Sequence, residues 1–481
     1  MNPLIPENNP LQHADELLRM NALLKQQQEA YARSPMPALE ERVHHLATLR
    51  ALLSQHTDAV AAAINADFTA RSAAETMLAD ILPCLQSIAY TLKHLRRWMK
   101  PDKRSVGLHF LPASARVVYQ PLGVVGIIVP FNYPVVLAIV PLLTALAAGN
   151  RVMIKMSEFT PRTAELLRNM LRKGFDETHV AVVTGAADIA AAFSRLPFDH
   201  LLFTGSTTIG KHVMRAAAEN LTPVTLELGG KSPAIIADDI PLHDIIDRLC
   251  FAKSLNAGQT CVAPDYVLIP RGKLELFIQL YKTAFRKMFP ATANNPDYSS
   301  LINAHTYQRL QEWLKDAADK GARVEKAGDE SISDGTLRMT LHLVTEVTDG
   351  MKIMQHELFG PILPVIPYDT IEEALKYVQQ HPRPLSLYLF TYDQVLQEQV
   401  ATRTHSGTMC INDALIQFGV EDLPFGGIGP SGMGRYHGRE GFLTMSHAKA
   451  VMSKGRLNSM TFIYPPYGSM IQKWLIKWLS R

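Results

Sequence analysis

Hydrophobic positions change their rhythm along this chain, and each change marks a different kind of element. From about residue 11 to 100, apolar residues recur at three and four residues, as at Leu46, Leu49, Leu52 and Leu53, which predicts amphipathic helices. Arg96, Arg97 and Trp98 lead into a break at Pro101. Beyond it SARVVYQPLG reads as an exposed strand. Short apolar strands then alternate with helices: VVGIIVP, Val135 to Ala148, RVMIK, Pro161 to Arg172, VAVVTG, and HLLFTGS before Thr207 to Asn220. Such alternation indicates a parallel sheet covered on both faces, the default for nucleotide binding, although fold alone does not fix function.

A second alternating series begins near Val224 and runs through PAIIA, a helix from Leu242 to Asn256, VLIP, and a long amphipathic helix from Lys273 to Met288. It implies a second α/β domain, with the boundary near Glu227. After about Asp422 the chain is glycine-rich (LPFGGIGPSGMGRYHGREGF) and ends in an apolar tail, which reads as a loop and interface region. The most apolar run, Tyr133 to Gly149, is short for a membrane span, carries Pro141 and ends on a glycine as a capped helix does. A buried helix is expected.

The length of 481 residues predicts two or three domains, and 47% hydrophobic with 19% charged residues excludes a disordered chain. A net charge of +3 without any lysine or arginine block argues against a nucleic-acid partner. The four cysteines, Cys84, Cys250, Cys261 and Cys410, are widely spaced without a CxxC pair, which speaks against a disulfide framework or zinc ribbon and for a reducing cytoplasm. The N-terminal MNPLIPENNPLQHADELL lacks the basic flank and apolar core of a signal peptide, so export is not expected.

The strongest chemical signal is FAKSLNAGQTCVAPDY, Phe251 to Tyr266. Cys261 stands behind a small-residue turn whose glycine lets the backbone pass close to a substrate, and a thiolate attacks carbonyl carbon readily. Upstream, LELGGKSP carries Glu227, a carboxylate able to activate water if the fold brings it there. The pairing suggests an enzyme that forms and hydrolyses a thioester. Cys84, Cys250 and Cys410 sit in helical or strand-like apolar patterns and are expected to pack as small hydrophobes. His356 and His437 lack metal-ligand spacing and read as structural.

Weaker signals each carry a plainer alternative. PFNYP holds Asn132 between prolines, as a rigid oxyanion donor or a simple turn residue. In LLFTGSTTIGK, Gly205 and Gly210 mark a strand-to-helix junction that can hold a pyrophosphate, or a tight turn with no ligand; the spacing is not GxGxxG. RVMIKMSEFTP puts Lys155 and Glu158 at a sheet's carboxyl edge, where a carboxylate could bind ribose hydroxyls or merely be solvated. HELFGP sets Glu357 and Phe359 in a turn that reads equally as plain surface.

Taken in order over nearly the whole chain, PFNYP, KMSE, FTGSTTIG, LELGGKSP, GQTCVAP, ELFGP and LPFGGIG resemble the aldehyde dehydrogenase superfamily. GQTCVAPDY and GMGRYHGREGF are most similar to its class 3 branch, which includes fatty, aromatic and bacterial coniferyl aldehyde dehydrogenases. The resemblance implies an α/β fold with a Rossmann-type cofactor domain (1–102 and 122–226), an α/β catalytic domain (227–425), and a small β oligomerisation element with a C-terminal tail (103–121 and 426–481). It implies that Cys261 attacks an aldehyde, that its own amide and Asn132 hold the oxyanion, and that Glu227 activates the hydrolytic water. Lys155 and Glu158 would hold the adenosine ribose, Gly205 and Ser206 the pyrophosphate region, and Glu357 with Phe359 the nicotinamide ribose and ring. The expected cofactor is NAD, with NADP open, and the expected assembly a homodimer acting on a small hydrophobic aldehyde.

Two features depart from the pattern. Phe131 stands where many relatives carry tryptophan, which bears on the substrate channel. The tail SMIQKWLIKWLSR is amphipathic, suited to a partner subunit or to peripheral membrane contact, and too short to span. Three rivals remain: a CoA-acylating dehydrogenase, against which Glu227 speaks, a catalytically silent binding protein, and a cofactor-free cysteine hydrolase.

Overall fold

The computed structural model describes residues 10–107, 110–328, 336–457 and 460–480. The segment Met1 to Asn9, from which export was discounted in part, lies outside the described residues, as do positions 108 and 109 of the 103–121 element.

The helical N-terminal third forms as its periodicity requires. Pro10–Arg33, Leu39–Gln55, Thr57–Phe68 and Leu82–Trp98 are helices, and Leu46, Leu49, Leu53, Ile64 and Ile88 are fully buried. Much of that stripe closes over Val136–Ala148, a helix buried at every position around Pro141. The helix stops at Gly149, whose φ of 93° is open to glycine and where an added Cβ would lie 2.8 Å from the Arg42 guanidinium. The run with the highest apolar content is thus a core helix. Among the described residues no helix is long and apolar enough to cross a membrane.

Three sheets organise the rest. A six-stranded sheet runs in the order Gly432–Met433, Val224–Leu228, His200–Gly205, Val124–Ile128, Arg151–Lys155, Val180–Val183, parallel except for the short first strand. A seven-stranded sheet runs Arg323–Lys326, His342–Thr345, Ile362–Tyr368, Tyr266–Pro270, Pro233–Ile236, Ser386–Phe390, Thr408–Ile411, antiparallel only at its first edge. The third sheet is antiparallel: Asp102–Arg104, Ser114–Pro121 and Ser446–Ser453.

Three expectations need correction. Val224–Leu228, with Glu227 in it, pairs with His200–Gly205 and belongs to the cofactor-type sheet; the second sheet begins at Pro233–Ile236. A five-residue strand such as VTLEL suits either parallel sheet, so periodicity could not place it. Second, the 426–445 stretch, expected as part of the oligomerisation element and tail, packs into the cofactor-type sheet and its core. Gly432 pairs with Glu227, and the helix Gly438–Thr444 buries Phe442 in the core around Val136–Ala148. Third, the helix predicted over Leu242 to Asn256 ends at Ser254, because Asn256, Ala257 and Gly258 all adopt left-handed backbone (φ 51°, 52° and 75°).

Candidate active site

That left-handed run delivers Cys261. Two consecutive non-glycine residues at positive φ are strained and persist only where neighbours over-determine them. Here the buried Gln259 side chain donates to the Asn256 and Ser300 carbonyls (3.0 Å each) and accepts from the Ile302 amide (3.0 Å). Gly258 lies so close to the next segment that a Cβ there would meet the Gly360 carbonyl oxygen at 2.5 Å. The loop therefore holds Cys261 half-buried on the floor of a cleft of about 890 Å³.

Asn132, Gly205, Ser206, Glu227, Cys261, Glu357 and Phe359, all singled out from sequence, line this one cleft. Asn132 is buried in the loop that precedes Val136–Ala148, and its Nδ2 donates to the Gln259 carbonyl at 3.1 Å, leaving a second amide hydrogen. Its Oδ1 and both carboxylate oxygens of buried Glu227 have no partner among the described residues. Unpaired buried polar atoms are costly, and their convergence on a cleft beside a half-buried thiol marks a site built for a reacting group.

Electrostatics sharpen this. Burial pushes the Glu227 carboxyl well above the usual range. Burial, then the Glu357 and Glu227 carboxylates, push the Cys261 thiol up to about 12. Glu357 is raised to about 8 by burial and then by Asp265, against the Gly230 amide, Lys231 and Lys253. Its carboxylate folds onto Gly229, where a Cβ would sit 1.9 Å from it. Phe359 has φ 47° and packs edge-on against Phe131 at 5.8 Å.

The rest of a nucleotide cradle follows. Ser206 caps Thr207–Ala218, so the first-turn amides of that helix open beside the cleft. Gly210 serves packing, its Cα facing Leu228 where a Cβ would meet Cδ2 at 2.6 Å. Lys155 and Glu158 are not in the cleft lining; they stand along the same carboxyl edge, at and beyond the end of the strand next to Val124–Ile128 and two strands from Gly205. Lys155 donates to the Met156 and Gly185 carbonyls (2.7 and 2.8 Å) and is lowered to about 8 by burial, Glu158 opposing. An ammonium has three donors, so one is left for a ligand. These residues fit a dinucleotide laid along the strand ends.

His437 is buried, stacked on Phe425 and pushed down to about 3, hence neutral; His356 is exposed and stacked on Trp313. Cys84 and Cys250 are fully buried as expected, while Cys410 is only partly buried. Among the described residues no metal-binding group occurs.

Sequence reasoning passed over Lys231 and Asp265, although both lie inside the LELGGKSP and GQTCVAPDY motifs. Lys231 pairs with Asp265 and donates to the Ile353 and His356 carbonyls (2.8 and 3.1 Å), and Asp265 accepts from the Leu358 amide at 2.9 Å, so together they fasten the Glu357 loop. Arg309 and Trp313, one helical turn apart with the guanidinium 4.7 Å from the ring, line the cleft without any motif to announce them.

A parallel cofactor-type sheet, a second α/β sheet and a cysteine, asparagine and glutamate meeting between them define a class, and comparison with known proteins agrees with it. The aldehyde dehydrogenase family pattern matches residues 12–451, and the chain belongs to that family. Among its relatives, it is 56% identical over 470 residues, 98% of each chain, to a protein of Pseudomonas aeruginosa named "Probable coniferyl aldehyde dehydrogenase". Its fold matches the substrate-bound AldH of Staphylococcus aureus with a TM-score of 0.90 at 34% identity, covering 96% of this chain and 99% of that one. It matches a Mycobacterium tuberculosis aldehyde dehydrogenase complexed with NAD+ at 0.84 and 28% identity, covering 92% and 91%.

Proposed function

We propose that this aldehyde dehydrogenase oxidises a hydrophobic aromatic aldehyde, of the coniferyl type, to its carboxylic acid with NAD, through a thioester on Cys261. The observation that carries the reading is the meeting of Cys261, Asn132 and Glu227 in one cleft with orphaned polar atoms. With its thiol proton given up to solvent, Cys261 adds as the thiolate to the aldehyde carbon, and the free Asn132 amide hydrogen and the Cys261 amide stabilise the oxygen as it gains charge. Nicotinamide dinucleotide, when bound, would supply the two-electron acceptor that takes the aldehyde to the acid level; Lys155, Glu158, Gly205 and Ser206 would hold its adenosine and pyrophosphate side, and Glu357 and Phe359 its nicotinamide side. Glu227 then takes a proton from water, which attacks the thioester and frees the acid and the thiol.

An apolar aldehyde suits the surroundings: the cleft that holds Cys261 is also lined by Phe131, Trp313, Met354 and Phe359. In a panel of cinnamyl, benzyl and straight-chain aldehydes assayed with each cofactor, the highest kcat/KM is expected for a cinnamyl type with NAD. A straight-chain optimum would sink the aromatic reading, and acyl-CoA formed on adding CoA would replace hydrolysis by the acylating alternative. Glu158 should repel a 2′-phosphate, so Glu158→Gln is expected to shift the NADP to NAD ratio of kcat/KM upward by about tenfold, some 1.4 kcal/mol. An unchanged ratio would remove Glu158 as the discriminator.

A homodimer built on the three-stranded sheet and the C-terminal tail completes the proposal. The tail helix Met470–Leu479 exposes Met470, Ile471, Trp474 and Ile476, an apolar surface in want of a partner. Truncation before Ser469 is expected to weaken the dimer in sedimentation. A dimer of unchanged affinity, or sedimentation of the full chain with anionic vesicles, would assign the tail elsewhere.

A further inference from the structure

Beneath the cleft lies an ionic cluster that the chemistry above does not use. Arg71, Glu75 and Asp80 come from the short segment between the helices Thr57–Phe68 and Leu82–Trp98 and are, in their side chains, 0%, 8% and 0% exposed. A buried arginine between two carboxylates is unfavourable to desolvate and is retained where it specifies an arrangement that apolar packing would leave loose. The contacts of this one run to both halves of the site.

On one side, Arg71 Nη1 donates to the backbone carbonyl of Asn132 at 2.6 Å, while its guanidinium stands 4.6 Å from the Tyr133 ring. Its Nη2 donates to Asp80 Oδ2 at 3.1 Å. Asp80 Oδ1 in turn accepts from the amides of Val135 and Val136 (3.2 and 3.0 Å), where the helix following Asn132 begins. Asp80 reaches them from a π-helical turn, Met77–Ile81, a local distortion that often accompanies function. The Asn132 loop is thereby gripped at its carbonyl and at its outgoing helix.

On the other side, Arg71 Nε faces Glu75 Oε1 at 3.2 Å. The Glu75 carboxylate is approached by the Ser299 hydroxyl (3.2 Å) and by the backbone amide of Asn256, the first residue of the left-handed run before Cys261. Asn256 closes the circuit, its Nδ2 donating to the same Asn132 carbonyl at 3.0 Å. The two loops that carry the oxyanion donor and the nucleophile thus share one anchor.

We propose that Arg71, braced by Glu75 and Asp80, is a positioning residue that sets the Asn132 amide against Cys261. The inference rests on the reading of Asn132 as oxyanion donor. Displacement of a reacting group by about 1 Å can lower a rate 10²-fold, so the effect belongs on kcat.

The test is a double-mutant cycle on the full chain with Arg71→Met, Asn132→Ala and the pair, following kcat, KM for NAD, NADH binding by fluorescence, and thermal unfolding. Arg71→Met is expected to lower kcat roughly 10- to 100-fold with KM for NAD and NADH affinity within about twofold of wild type. In the Asn132→Ala background the same change should lower kcat less than about threefold, because the group it positions is gone. Arg71→Lys should restore part of the loss. An equal loss in both backgrounds would overturn the proposal and leave Arg71 a structural residue only, as would a wild-type kcat in Arg71→Met. A wild-type kcat in Asn132→Ala overturns the oxyanion reading itself. Should Arg71→Met not fold, Glu75→Gln keeps the volume, removes one charge and enters the same cycle. A kcat loss that shrinks in the Asn132→Ala background supports the positioning role, and an equal loss in both overturns it.

Discussion

Replacing Cys261 with alanine is expected to abolish aldehyde-dependent NADH formation, by roughly 10⁴-fold or more, while NADH binding and thermal unfolding stay near wild type. The size follows from the site: among the described cleft-lining residues Cys261 is the only cysteine, and nothing beside it offers another nucleophile of comparable strength. The fold should tolerate the change. Cys261 ends a loop held by Gln259 and Asn256 and is only half-buried, so a sulfur-sized void at the cleft floor leaves the loop's anchors in place. The burial that pushes the thiol up to about 12 also predicts slow alkylation of the unliganded enzyme near pH 7, because little thiolate is present. A variant retaining even a hundredth of wild-type NADH formation would mean that Cys261 is not the nucleophile.

Glu227→Gln should separate the two halves of the reaction. Glutamine cannot accept a proton from water, so the acyl-enzyme should accumulate. A single burst of NADH is expected to survive and the steady rate to fall by about 10²- to 10⁴-fold. A normal steady rate at neutral pH would eliminate Glu227 as the base. The pH dependence has a definite sign. A base must be unprotonated to act, and burial raises this carboxyl, so hydrolysis should strengthen as pH rises through its raised pKa. Stability runs the opposite way. The folded state holds the proton more tightly than the unfolded chain, so Glu227's contribution is full below the unfolded carboxyl's pKa and is lost as pH rises through the folded one. Glu227→Gln should therefore unfold at or above the wild-type temperature near neutral pH, a gain in stability that accompanies the loss of turnover.

The site was legible from sequence to an uneven depth. Cys261 and Glu227 were visible because their segments set a reactive side chain beside glycines that mark a close backbone approach, and the cleft contains both. Asn132, Glu357 and Phe359 were each balanced by an ordinary turn until their motifs were taken together. Phe359's left-handed backbone and Glu357's seat on Gly229 show why those turns are not ordinary. Lys231 and Asp265 stayed hidden inside recognisable motifs, since a lysine and an aspartate in loops look solvated until they are seen pinning the Leu358 amide and the His356 carbonyl. Arg71, Glu75 and Asp80 gave no signal, because charges at such spacing on a helix usually face water.

By itself the sequence determined the two α/β series, the core helix at Val136–Ala148, the thiol and the carboxylate, because hydrophobic period and glycine placement are local properties that survive in one dimension. Only the tertiary structure decided that Val224–Leu228 joins the first sheet, that the glycine-rich segment returns to pair Gly432 with Glu227, and that Arg71 reaches Asn132 across 61 positions of chain. Those are choices among partners of similar local character, and they are settled by which long-range pairing buries the apolar faces and satisfies the buried polar atoms together. Chemistry in this protein is written locally. The distance between its reacting groups is not.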